Sequence, residues 1–362
     1  MYWTFINYIT MKYFWILGMV LTLVACTDKQ TANQEDTFKK SELLQQVADN
    51  YILPEYAKLQ SDVTALTTTA SSFQQEAVQS TFDSLQAQWK RAYIRFQYVK
   101  MFDFGPGMEQ NLAMSMGTFP TDTVAIETNI TNGNYNLSEI SNYDAIGFPA
   151  LDYLLFSSKA FEAISTSAAR KKYLVDLTQK MKNEVDKTLA GWNSYRTSFV
   201  DGSSNASTSP FSLLMNNFIR DYEILKWTKL GYPLGANTGG VKNPAYLEAR
   251  RSGISKELLY ANIRAFQQIY HGKGSNGKNG KSMHDYLIAL GKSVQAATLE
   301  KNWGIFLQQI EALPNNLELA MQTENQKLIE LYNAIHFNTI ALKTDMVSAF
   351  GVLITYSDND GD

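Results

Sequence analysis

Asp152 is the residue of this chain whose setting most invites chemistry. It lies among Ala150, Leu151, Tyr153, Leu154 and Leu155, and a carboxylate in so apolar a segment needs a partner wherever it is buried. Two readings follow: a metal or ligand contact, or an aspartate that caps a helix or pairs with an arginine. Histidines are few, His271, His284 and His336, and none stands in a His-x-x-x-His or His-x-x-Glu pattern, so the usual ligand pair of a hydrolytic zinc is missing. Cys26 is the single cysteine, which excludes a disulfide framework and a thiolate zinc centre. Any metal would meet oxygen ligands, with Asp152 the best candidate. Lys+Arg 32 against Asp+Glu 35 gives a net charge of -3 and no basic face for a phosphate backbone, so no nucleic-acid partner is expected.

Two further stretches imitate binding motifs. Within the glycine-containing loop 231–240, Gly-Tyr-Pro-Leu-Gly-Ala-Asn-Thr-Gly-Gly, the stretch from Gly235 to Gly240 resembles a phosphate cradle but lacks a Gly-Lys-Ser/Thr ending and a preceding strand, which argues against a nucleotide. Residues 358–362, Asp-Asn-Asp-Gly-Asp, resemble half a calcium loop without its closing glutamate and read as a solvated tail.

The elements that must position these residues begin after a targeting segment. Residues 11–26 run from Met-Lys into an apolar stretch ending Leu-Val-Ala-Cys, the form of a lipoprotein signal peptide, too short to span a bilayer. Residues 1–25 are therefore read as signal peptide. Cys26 is the expected lipidation site, and residues 26–40 form a polar tether. This places the chain in the cell envelope, anchored to a membrane by lipid, at the outer membrane or on the periplasmic face.

Beyond the tether, apolar residues recur at helical spacing. Phe82, Leu85, Trp89, Ala92 and Phe96 form one stripe, and Leu174, Leu177, Met181, Val185, Leu189 and Trp192 another. Pro54 predicts a kink or restart in the first helix, and Pro210 predicts the first turn of a helix to about Leu230. Further helices are expected at 256–270, 282–294, 299–313 and 316–349. Strand-like alternation occurs only at 352–356. The fold class is all-α, two packed helical bundles at 41–200 and 201–362, divided at the Ser/Asn/Thr-rich segment 201–210.

The segment Asp144-Ala-Ile-Gly147-Phe-Pro149-Ala-Leu-Asp152-Tyr-Leu-Leu-Phe156 resembles the signature of the imelysin family, Gly-x-His-x-x-Glu followed by an aromatic and two leucines. Pro149 stands in place of the histidine and Asp152 in place of the glutamate. Trp89-Lys-Arg-Ala92 with Phe104-Gly105-Pro106 is similar to that family's second helix. Leu247-Glu248-Ala-Arg250-Arg251-Ser252-Gly-Ile-Ser255, with Asn262 and Tyr270-His-Gly272, is similar to its second-domain motif.

The resemblance implies two bundles with the signature near their junction, and a role in bacterial iron acquisition beside envelope iron-uptake proteins. The ligand set it suggests is Gly147, Phe148, Pro149 and Asp152 on one side, with Arg250, Ser252 and Asn262 opposite, around iron, haem or another metal. It also carries a peptidase label. Pro149 has no lone pair for a metal and no proton to transfer, so the residues argue against hydrolysis. The expectation is a non-catalytic binding protein; a metallopeptidase, or a docking lipoprotein without a small ligand, are the alternatives. Ser252 and Ser255 are expected to cap the helix that follows them.

Overall fold

Amphipathic helices account for nearly all regular structure in the computed structural model, which describes residues 38–356. The expected signal peptide, Cys26 and the carboxyl tail at 358–362 lie outside the described residues. The helices are α1 (Lys40–Val47), α2 (Leu53–Gln75), α3 (Gln79–Phe96), α4 (Pro106–Glu109), α5 (Leu112–Gly117), α6 (Thr123–Asn132), α7 (Gly147–Phe156), α8 (Ala160–Ser165) and α9 (Ala168–Asp201). They continue with α10 (Pro210–Leu225), α11 (Tyr232–Leu234), α12 (Ser255–Tyr270), α13 (Met283–Ala289), α14 (Ser293–Glu311), α15 (Leu317–Thr323) and α16 (Asn325–Ile340). No strand occurs among the described residues. The 352–356 segment, expected to alternate as a strand, is irregular: Asn216 on α10 satisfies it, donating to the Leu353 carbonyl at 3.0 Å and accepting from the Thr355 N–H at 2.8 Å.

Local chemistry sets the helix ends. Ser167 accepts from the Arg170 N–H at 3.2 Å and opens α9, whose 34 residues span about 50 Å at ~1.5 Å per residue. Ser209 accepts from the Ser212 N–H at 3.3 Å, and Pro210 follows as the first residue of α10, where its missing N–H costs nothing. Pro54 falls in the first turn of α2, directly after a π-helical segment, Ala48–Ile52, that joins α1 to α2 without a break. A second π-helical segment, Lys226–Gly231, extends α10 to the expected end near Leu230, and a third, Ala341–Val347, extends α16. The long helix expected at 316–349 is interrupted at Glu324, where the backbone turns to φ -129°.

Helix α2 packs against α3 and α9, while α12 packs against α14 and α10, and α14 against α16. Trp192 on α9 meets Phe102, Phe104 and Phe199 edge-on at centroid separations of 5.5–6.2 Å. Phe218, Tyr222, Phe266 and Trp303 play the same part between α10, α12 and α14. One hydrophobic core runs through both groups of helices, and α3 meets α12 where they adjoin. Each fully buried large side chain on those stripes contributes on the order of 1.5–3 kcal/mol, so the contact between α3 and α12 is a rigid frame for whatever polar groups it encloses.

Candidate functional site

Helix α7 starts where only glycine fits. Gly147 has φ +75°, and a Cβ there would lie 2.6 Å from the carbonyl oxygens of both Ser115 and Met116. Pro149 occupies the first turn of α7, where its missing N–H is harmless. Phe148 stacks on Tyr93 of α3, centroids 4.6 Å apart and planes inclined 6°, while its carbonyl accepts from Trp89 Nε1 at 3.2 Å. One turn further, the Asp152 side chain is buried.

The partner of Asp152 is backbone. Its Oδ1 accepts from the Ser252 N–H at 3.0 Å and its Oδ2 from the Arg251 N–H at 3.3 Å. Burial pushes its carboxyl above the usual carboxylate value, against the pull of the Ser252 hydroxyl, of those N–H donors and of the Arg251 guanidinium. The guanidinium itself lies over the Tyr153 ring at 5.2 Å. Arg250 points elsewhere, into a two-pronged pair with Glu318, Nε to Oε2 2.7 Å and Nη2 to Oε1 2.6 Å. The two serines do not cap α12, which has no side-chain cap. Ser252 donates back to the Ala249 carbonyl at 3.0 Å and Ser255 to that of Glu248, because the loop doubles back at Ala249, which takes the left-handed φ of +53°.

That turn aims Glu248 inward, to the centre of a polar cluster. Tyr93 donates to Glu248 Oε1 at 2.6 Å and Lys229, on the π-helical segment after α10, pairs with Oε2. Lys100, beyond the end of α3, pairs with Asp221 of α10 at 3.1 Å, and Asn262 of α12 donates to Asp221 Oδ2 and to the Gln97 carbonyl, both at 3.4 Å. Burial would raise Glu248, but the ammoniums of Lys229 and Lys100 hold it below its usual value. Lys229, the deepest of the four charges, is lowered by burial despite Glu248, and Lys100 is raised by the carboxylates of Asp221, Glu248 and Asp103 despite burial. Tyr93 is pushed well up by burial and by Glu248, and stays a phenol. Gln97 Oε1 and Asn262 Oδ1 are buried acceptors without a donor.

Lys100, Asp221 and Glu248 line a cavity of about 290 Å³, with Phe96, Asp103, Gly117, Phe119 and Arg220 around them. Of the residues expected to form a site, Asp152, Ser252, Phe148 and Asn262 stand behind this wall, each one contact from the cluster or its loop. Gly147 and Pro149 shape the start of α7, and the Arg250 side chain lies apart. Among the described residues no three His, Cys, Asp or Glu side chains converge as metal ligands, and both cluster carboxylates already have ammonium partners. Lys229 has a sequence signal that is easy to pass over: it continues the buried series Phe218, Tyr222, Leu225 at helical spacing, so it is a cation on a core stripe. Lys100 likewise follows Phe96 by four residues.

The imelysin family model matches residues 52–341, most of the chain. The chain belongs to the imelysin family. Iron-regulated protein A of Synechococcus elongatus is 20% identical to this imelysin over 325 residues, covering 87% of the chain and 85% of that protein. An imelysin-like protein of Psychrobacter arcticum superposes with a TM-score of 0.72 at 18% identity, over 88% of this chain and 97% of that one. An iron-regulated protein A precursor of Parabacteroides distasonis gives 0.71 at 15% identity, over 86% and 95%. The two structures share the all-α imelysin fold.

Proposed function

We propose that this imelysin is an envelope protein of iron acquisition, tethered through lipid on Cys26, that holds a metal complex or another small ligand in the cavity walled by Lys100, Asp221 and Glu248, without hydrolysing it. The observation that carries the reading is the buried four-charge cluster open to that cavity. Its charges already balance, so an occupant need not bring a compensating charge; it must offer hydrogen-bond partners to groups already fixed in place. A complex presenting oxygen atoms suits the Lys100 ammonium and the Arg220 guanidinium on the cavity wall better than a bare cation, which would have to displace lysines from both carboxylates. The likeness to iron-regulated protein A over most of the chain supports the iron context, and the lipoprotein-type start supports the envelope.

The reading is tested on the mature chain beginning at Cys26, titrated with ferric citrate, haem and ferric and ferrous salts, in wild type and in Lys100→Met and Glu248→Gln. Saturable binding of one probe, weakened about tenfold or more in either variant (~1.4 kcal/mol), is the expected result. Equal binding in all three proteins would remove the cavity from the function. Mass spectrometry of the membrane-extracted protein should find lipid on Cys26, and Cys26→Ser should release the protein into the soluble fraction.

A further inference from the structure

The glycine-rich loop that imitates a phosphate cradle builds a different kind of site. With Tyr232 of α11 and Tyr246 beyond it, residues Asn237, Thr238, Val241 and Asn243 line a cavity of about 370 Å³ that contains no charged side chain. The two tyrosine rings stand 6.1 Å apart with planes inclined 48°. They continue into a row of partly exposed rings: Tyr232 stacks on Trp227 at 5.8 Å, Trp227 meets Tyr332 at 6.2 Å, and Tyr332 stacks on His336 at 6.0 Å. Gly231 permits that row, since a Cβ there would lie 2.7 Å from the Trp227 ring and 3.2 Å from Tyr332.

The loop is held ready by its own backbone. Thr238 and Gly240 N–H groups donate to the Gly235 carbonyl at 2.9 and 2.8 Å, and the Asn243 N–H to that of Pro233 at 2.9 Å. The Asn243 Oδ1 accepts from the Ala245 N–H at 3.0 Å, which fixes the amide with its Nδ2 group left to donate. Aromatic walls offer electron-rich faces to polarised C–H groups, the Asn237 and Asn243 amides offer donors, and the Thr238 hydroxyl, which donates to the Val241 carbonyl at 3.0 Å, is left to accept. A ligand that satisfies both and carries no charge is a sugar ring. A single-stranded nucleic acid would also stack on aromatics but needs cations along its phosphates, and none lines this cavity.

We propose that the cavity lined by Tyr232, Tyr246, Asn237 and Asn243 binds an uncharged hexose unit of a glycan, at a site separate from the Glu248 cavity. The test uses the mature protein on an array of neutral and acidic oligosaccharides, followed by titration of the best neutral sugar as oligosaccharide and as monosaccharide, read by tryptophan fluorescence because Trp227 stacks on Tyr232. Variants are Tyr246→Ala and Asn237→Ala, both at exposed positions, with circular dichroism to verify folding. Expected are saturable binding insensitive to salt, a loss of about tenfold or more in Tyr246→Ala, and ferric citrate and haem titrations identical to wild type. Tighter binding of the oligosaccharide than of the monosaccharide identifies a polymeric glycan as the source, and equal binding a free sugar. No neutral sugar bound by folded wild type, binding of acidic glycans only, or unchanged binding in both variants would each overturn the proposal; a protein that requires Tyr246 for capture, with no sugar bound, would reassign the surface to protein docking.

Discussion

Asp152 and Glu248 are two buried carboxylates held by one eight-residue turn, and they are stabilised in opposite ways. Asp152 is met by backbone N–H groups of the turn, and burial leaves its carboxyl above the ordinary value. Glu248 is met by side chains of other elements, Lys229 and Tyr93, and despite burial is held below its ordinary value by ammoniums. The first arrangement fixes a loop; the second stores full charges beside a cavity. Backbone donors cannot be given up without unfolding the turn, whereas Glu248 has its charge balanced by side chains of other elements, beside a cavity that it lines. Of the two carboxylates, Glu248, which lines the cavity, is thus the one placed to respond.

The largest effect that would break this contrast is expected at Lys229. Lys229→Met strands Glu248 and should lower the unfolding free energy by about 3–5 kcal/mol, read by urea denaturation, because a buried charge loses its partner. Adding Glu248→Gln should recover most of that loss, since the uncharged pair no longer needs it. A loss below about 1 kcal/mol in the single variant would mean the pair is solvated and the cluster is no store of charge.

Next in size is Asp152→Ala, which orphans two N–H groups and should cost roughly 1–3 kcal/mol. It should also speed hydrogen exchange at the Arg251 and Ser252 amides more than at core amides of α9. Uniform exchange would show that the turn keeps its shape without the carboxylate, and the fixing role assigned to Asp152 would fall.

These two residues also show how far the sequence could be read. The apolar setting of Asp152 announces burial, and Gly147 followed by Pro149 announces a tight turn into a helix; both follow from local sterics and polarity. The partner of Asp152 does not, because the nearby arginines suggest side-chain pairing while the contact is made by their backbone. That choice depends on Ala249 adopting a left-handed φ, which its residue type disfavours, and on Glu318, 68 residues on, capturing Arg250. Helices were legible wherever a stripe was unbroken. Less legible was the second half of α2, which runs to Gln75 through Thr67, Thr68, Thr69, Ser71 and Ser72, residues of modest helix propensity. Lys100 and Lys229 were hidden by the same rule that found the core, since a cation at a stripe position looks like an interruption until its carboxylate is located on another helix.

Acid titration separates the two carboxylates by sign. Glu248 is depressed in the folded state, so its stabilising contribution is complete above its ordinary value of 4.5 and is lost as the pH falls through the lower folded value. Asp152 is raised, so its ionisation costs stability, and that cost is relieved as the pH falls through the raised folded value toward 3.8. The advantage of wild type over Glu248→Gln should therefore shrink in acid while its advantage over Asp152→Asn grows. Parallel pH profiles for the two variants would mean that both carboxylates share one environment.

The smallest effect is expected at Arg250, and its smallness is informative. Its pair with Glu318 is well formed but lies at the surface, the two side chains 44% and 28% exposed, so solvent screening limits its worth to at most about 1 kcal/mol. Arg250→Ala should therefore leave urea stability almost unchanged and leave titrations with ferric citrate or haem at wild-type affinity, although Arg250 adjoins the two residues that hold Asp152. A severalfold loss of ligand binding in this variant would mean that the turn reorients in solution and brings the guanidinium to the cavity. The separation between a fixed Asp152 side and a responsive Glu248 side would then fail, because the element joining them would itself be moving.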